Sequence, residues 1–120
     1  MSKKVLLAED DSTMVSLLKT LLGMEGYQVI VLDPDANIPA AVRRENPDLL
    51  LLDVFLSNQS GLEIVETLRR DNETKSVRVI MTSGMNVKDE CIRRGANDFL
   101  LKPYMPDDLI VVMKRTLESS

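Results

Sequence analysis

Five short apolar runs, each followed by a stretch with apolar residues at helical spacing, constrain this chain most. The runs occupy 5–8, 27–32, 49–53, 77–82 and 98–101. The third, LLLLD, is the most apolar, and none alternates strictly between apolar and polar. Such runs suit strands covered on both faces. Between them, Met14, Leu17, Leu18, Leu21 and Leu22 fall three and four residues apart, predicting a helix that ends near Gly23 or Gly26. Pro39 suits the first turn of a second helix reaching about Arg43, which Asn46-Pro47 stops. A loop at 57–61 leads into a third helix buried through Leu62, Ile64, Val65 and Leu68. A mostly polar fourth helix covers 85–94 with Gly95 at its end, and a fifth starts near Met105-Pro106.

Strict strand–helix alternation predicts an α/β fold, a doubly wound five-stranded parallel sheet with helices on both faces. The length of 120 residues suits a single domain spanning 1–120, with no internal linker or repeat. In such folds ligands gather beyond the carboxyl ends of the strands.

Those ends carry few polar groups. The first gives Glu9 and Asp10, the third Asp53, the fourth Thr82, Ser83 and Gly84, and the fifth Lys102-Pro103. With strands one and three adjacent, three carboxylates share one pocket, and like charges that close need a cation. An oxygen-rich set with room for water suits Mg2+. A lysine ammonium and a hydroxyl beside it could hold the oxygens of a phosphoryl group. Read singly, the same residues have plainer roles: Asp11 and Ser12 as a helix cap, Asp53 as an ion-paired strand end, Lys102 as a solvated side chain. The methionines read as gap-fillers in helices.

Composition removes other functions. The chain has no His, one cysteine (Cys91) and a formal net charge of −4. No phosphohistidine or imidazole metal site is available, and nucleic-acid binding by this domain alone is disfavoured. A lone cysteine fits a reducing, cytoplasmic setting. No apolar run approaches the roughly 20 residues of a membrane span. No glycine-rich nucleotide fingerprint follows any run.

In register with the expected strands, Glu9-Asp10, Asp53, Ser83 and Lys102-Pro103 follow one another, and Gly61 lies eight residues after Asp53. In this the chain resembles the receiver domain of two-component response regulators, from its first strand to its last helix. The resemblance implies a flavodoxin-like sheet of strand order 2-1-3-4-5. It implies that Asp53 accepts a phosphoryl group from the histidine of a sensor histidine kinase or from a phosphotransfer protein. It assigns Mg2+, with Mn2+ as a substitute, to Asp10, Asp53, the backbone carbonyl of Phe55 and, mainly through water, Glu9. Lys102 and Ser83 would contact the phosphoryl oxygens, Ser83 and Phe99 would form the switch, and the bond before Pro103 would be cis. The face made by the fourth helix, fifth strand and fifth helix would then control an output domain or target protein, or support a homodimer.

Departures from the family pattern are equally legible. Ser57 stands where a proline is usual, so a more mobile turn is expected, and Leu56 replaces a methionine. Phe55 and Met85 occupy the two positions that tune dephosphorylation, and neither side chain can orient a water. Two competing readings keep the fold: a pseudo-receiver that is never phosphorylated, and a small Mg2+-dependent phosphohydrolase with Asp53 as nucleophile.

Overall fold

The computed structural model of the chain describes residues 2–118. Its elements, in order, are β1 (Lys4–Ala8), α1 (Ser12–Met24), β2 (Gln28–Val31), α2 (Ile38–Glu45) and β3 (Leu49–Asp53), then a short hairpin of β4 (Phe55–Leu56) and β5 (Gln59–Ser60). There follow α3 (Gly61–Arg70), β6 (Arg78–Ser83), α4 (Lys88–Arg94), β7 (Asp98–Leu101) and α5 (Pro106–Glu118). The main sheet is parallel throughout, with order β2-β1-β3-β6-β7. Since β4 and β5 belong to the hairpin, this is the expected 2-1-3-4-5 order of the flavodoxin-like fold.

The continuous apolar runs are explained by the two layers that cover them. Successive strand residues point to opposite faces. Leu6, Leu50, Leu52, Val79 and Met81 pack on one side against α2, α3 and α4. Val5, Leu7, Leu49, Leu51 and Ile80 pack on the other against α1 and α5. Every residue of β3 is buried. Each fully buried aliphatic side chain contributes about 1.5–3 kcal/mol relative to exposure, so a polar substitution within β3 would be severe.

Local chemistry sets the helix ends. Asp11 caps α1, its carboxylate accepting from the Thr13 and Met14 amides at 3.0 and 3.1 Å. Asn37 caps α2 with Pro39 in its first turn, and Asn46 closes it in a left-handed conformation at φ 46°. The α4 helix has seven residues, one buried side chain (Cys91) and no side-chain cap.

Several expectations need correction. The 57–61 loop contains half of an antiparallel hairpin, too short for periodicity to reveal. The fourth helix starts at Lys88 rather than near Met85. Leu17 lies in the expected apolar stripe of α1 but is exposed, because Leu18 and Leu22 face the sheet. Met81 and Met113 do fill the core, whereas Met24, Met85 and Met105 are exposed.

Candidate functional site

Parallel register brings the functional side chains together. Ala8 lies opposite Leu52, so Glu9 follows β1 beside Asp53, the last residue of β3. Asp53 lies opposite Thr82, and Ser83 opposite Leu101. The ladder continues through Lys102, whose amide donates to the Ser83 carbonyl at 2.8 Å. By the same alternation, Glu9 and Asp53 follow the parity of Leu7 and Leu51, on the α1/α5 side. Ser83 follows Met81 and shares the α3/α4 side with the buried Phe99, which lies opposite Met81.

A three-acid, one-lysine cluster results. One carboxylate oxygen each of Glu9, Asp10 and Asp53 lies within 4.8 Å of the others. Glu9 and Asp53 are only 5% and 7% exposed, while Asp10 faces solvent. The Lys102 ammonium donates to Glu9 Oε1 at 2.5 Å and to Asp53 Oδ2 at 2.9 Å. The remaining oxygens are also engaged. Glu9 Oε2 accepts from the amides of Asp10 (3.0 Å) and Asp11 (3.4 Å), and Asp53 Oδ1 accepts from the Phe55 amide at 3.1 Å. That last bond draws the backbone of Phe55 to the carboxylate, while its side chain projects into solvent. The Lys102–Pro103 bond is cis.

The electrostatics follow from crowding. Burial, reinforced by Asp53 alongside, raises the Glu9 carboxyl above its ordinary value, and Lys102 opposes that rise. Burial alone would lower the Lys102 ammonium, but hydrogen bonds and charge from Glu9 and Asp53 outweigh it and hold it above its ordinary value. Three carboxylates against one ammonium leave the cleft net negative. Hard oxygen donors in that arrangement fit a small divalent cation, Mg2+ above all.

Ser83 is buried at the end of β6, next to Thr82, which lies opposite Asp53; its Oγ accepts from the Met85 amide at 3.0 Å, leaving its own proton available to donate. Gly61 closes the floor. Its amide donates to the Val54 carbonyl at 2.7 Å, and a side chain there would overlap the Asp53 carbonyl oxygen. Only glycine permits that approach.

The fold that carries this site is shared with known proteins. Residues 5–114 match the response regulator receiver domain family. The chain belongs to that family. The phosphate regulon transcriptional regulatory protein PhoB of Pseudomonas aeruginosa is 30% identical over 118 residues, covering 96% of this chain and 52% of PhoB. The chain thus spans about half the length of that relative. A crystal structure of a putative response regulator from Chloroflexus aurantiacus superposes with a TM-score of 0.90 at 27% identity, covering 99% of this chain and all of that one. The receiver domain of a sensor histidine kinase from Pseudomonas aeruginosa, crystallised with magnesium coordinated in its active-site cleft, shares the fold at TM-score 0.86 and 24% identity. Of the expected residues, Glu9, Asp10, Asp53 and Lys102 meet at one end of the sheet, and Ser83 ends β6 at that same end. Phe99 lies on the face of the sheet covered by α3 and α4, the face that Ser83 shares.

Two features escaped the sequence. The Tyr104 hydroxyl is buried, lacks a protein hydrogen-bond partner, and is pushed up to about 12 by burial and by nearby Glu9. Gln59 and Asn58 of the hairpin bond to the β2–α2 loop. No local pattern flags either, since both depend on which loops the fold makes neighbours.

Proposed function

We propose that this receiver domain is a phosphorylation switch in which Asp53 is the phosphoacceptor. The observation that carries the reading is the Lys102 ammonium held between Glu9 and Asp53 within the three-acid cluster. An Asp53 carboxylate oxygen attacks the phosphorus of a phosphohistidine on a sensor kinase or phosphotransfer protein. The new O–P bond forms as the P–N bond breaks, and the electron pair returns to the imidazole. Asp10, Asp53 and the Phe55 carbonyl would hold Mg2+, with Glu9 acting mainly through water. When bound, the ion offsets charge on the incoming phosphoryl group. Lys102 pairs with a phosphoryl oxygen and so leaves Glu9, while Ser83 donates its hydroxyl to another.

The signal would leave through α4, β7 and α5. Ser83 and Phe99 share a face there, so an inward shift of the serine vacates space that the ring can occupy. The weakly anchored α4 is the element best able to respond. Each of the three elements exposes an apolar side chain, Ile92, Leu101 and Val111 respectively, suited to an output domain, a target protein or a second copy. The setting is cytoplasmic on this reading, consistent with a free, buried Cys91. Among the described residues no helix is long and apolar enough to cross a membrane.

Incubation with acetyl phosphate tests the proposal. Mass spectrometry should show one added phosphoryl group, dependent on Mg2+ and lost in Asp53→Asn. Labelling that persists in Asp53→Asn, or none in the unaltered protein, overturns it.

A further inference from the structure

The turn after β3 lacks the proline that would have stiffened it, having Ser57 instead, yet it is paired across the hairpin and tied to a neighbouring loop. Phe55 pairs with Ser60 and Leu56 with Gln59. Leu56 is buried, whereas Phe55, Ser57 and Asn58 are exposed. From this hairpin the Gln59 side chain reaches the β2–α2 loop. Its Nε2 donates both protons to backbone oxygens, to Pro34 at 2.7 Å and to Ala36 at 2.9 Å. Asn58 adds a more exposed bond, Nδ2 to Asp35 Oδ1 at 2.9 Å.

Both tied loops border the acid cluster. The hairpin begins at Phe55, whose amide holds Asp53 Oδ1. The β2–α2 loop supplies Asp33 and Pro34 to the wall of a cleft that also contains Glu9 and Asp10. That loop is itself braced, with the Asp35 amide on Asp33 Oδ1 at 2.9 Å and the Ala36 amide on the Asp33 carbonyl at 2.9 Å. Gln59 therefore anchors the hairpin to a pre-formed support.

We propose that Gln59 is a positioning residue for the divalent-ion site, supplying through two hydrogen bonds the restraint that a proline at position 57 would give. The proposal rests on the reading of the cleft as a Mg2+ site. The Phe55 carbonyl can serve as a ligand only while its peptide plane keeps one orientation, and an ion demanding near-octahedral geometry tolerates little drift. Gly61 fixes the base of the hairpin through its bond to Val54, and Gln59 fixes the strand that returns to it. Asn58 matters less because its partner Asp35 is solvent-exposed.

Calorimetric titration with Mg2+ tests this in four proteins: the unaltered chain, Gln59→Met, Ser57→Pro/Gln59→Met and Asp10→Asn. Methionine keeps the length of glutamine and removes its donors. Gln59→Met should bind Mg2+ about tenfold more weakly, the lower range for loss of a ligand-orienting contact. Adding Ser57→Pro should recover most of that loss, which a merely structural role for Gln59 would not produce. Equal affinity in Gln59→Met, or a loss that Ser57→Pro leaves in place, overturns the role of Gln59 alone. No Mg2+ binding by the unaltered chain, or full binding by Asp10→Asn, overturns the reading of the cleft and the proposal with it.

Discussion

The Lys102 ammonium lies closer to Glu9 than to Asp53, at 2.5 Å against 2.9 Å. The lysine thus occupies the cleft as a resident cation, bridging the two buried acids. Without it, only the Asp10, Asp11 and Phe55 amides would oppose their burial and mutual repulsion. Lys102→Met should therefore lower the stability of the metal-free protein by about 2 kcal/mol at neutral pH, the scale of leaving a buried charge unpaired. It should also tighten Mg2+ binding, because the ion no longer competes with an ammonium. Urea unfolding in EDTA and a Mg2+ titration read the two effects. Unchanged stability with weaker Mg2+ binding would contradict both. The contribution of the lysine is full below its ordinary value of 10.5 and is lost as pH rises through its raised value in the folded chain.

The bridge shows where sequence reading ends. Val5–Ala8 and Leu49–Asp53 announce two-sided burial because neither contains a polar gap, so strands, layers and the location of the cleft were all legible. The order of acids, hydroxyl and lysine along the chain was legible too. That Lys102 reaches Glu9 as well as Asp53 was not, since Lys102 and Glu9 are 93 residues apart and spacing carries no information about side-chain reach. The exposure of Leu17 was hidden because a helix of 3.6 residues per turn puts five apolar positions on an arc wider than the sheet covers. The hairpin of β4 and β5 was hidden because two-residue strands have no period.

Asp10 and Asp11 are adjacent acids with separable duties. The Asp11 carboxylate accepts two amides of the first turn of α1, whereas Asp10 projects toward the cluster. Asp11→Ala should cost about 1 kcal/mol of stability, the usual scale for losing a cap, and leave Mg2+ affinity nearly unchanged. Asp10→Asn should do the reverse, abolishing Mg2+ binding with little loss of stability in EDTA. Thermal unfolding paired with calorimetry separates them, and a stability loss confined to Asp10→Asn would reverse the assignment.

Tyr104 predicts an alkaline limb in the stability profile. Its hydroxyl is raised from an ordinary 10 to about 12, so the fold favours the neutral phenol. That contribution is whole below pH 10 and is lost as pH climbs through about 12. With allowance for partial exposure it amounts to about 2 kcal/mol. Tyr104→Phe cannot ionise, so its stability should fall less steeply above pH 10. It should also be about 1 kcal/mol more stable at pH 7, because an unpartnered buried hydroxyl is removed. Urea midpoints across pH 7–11 provide the check, and parallel profiles for the two proteins would exclude the phenol as the cause.

On the proposed switch, Phe55 and Met85 would bear on the lifetime of the acyl phosphate at Asp53. The Phe55 amide is bonded to Asp53 Oδ1 and the Met85 amide to Ser83 Oγ, so both side chains start from backbone anchored to the site. They are 59% and 62% exposed, which leaves them free to lie over the cleft mouth. Hydrolysis needs a water aligned with the breaking O–P bond, and neither a phenyl ring nor a thioether can align one strongly. Apolar cover also lowers the chance that water arrives. Phe55→Asn with Met85→Glu supplies an amide and a carboxylate at these two positions and leaves the Phe55 carbonyl in the backbone. Dephosphorylation should accelerate roughly tenfold, a modest share of what positioned acid–base groups contribute. Decay of purified phosphorylated protein after donor removal measures the rate directly. A rate equal to that of the unaltered chain, or slower, would mean that water access is set elsewhere in the cleft.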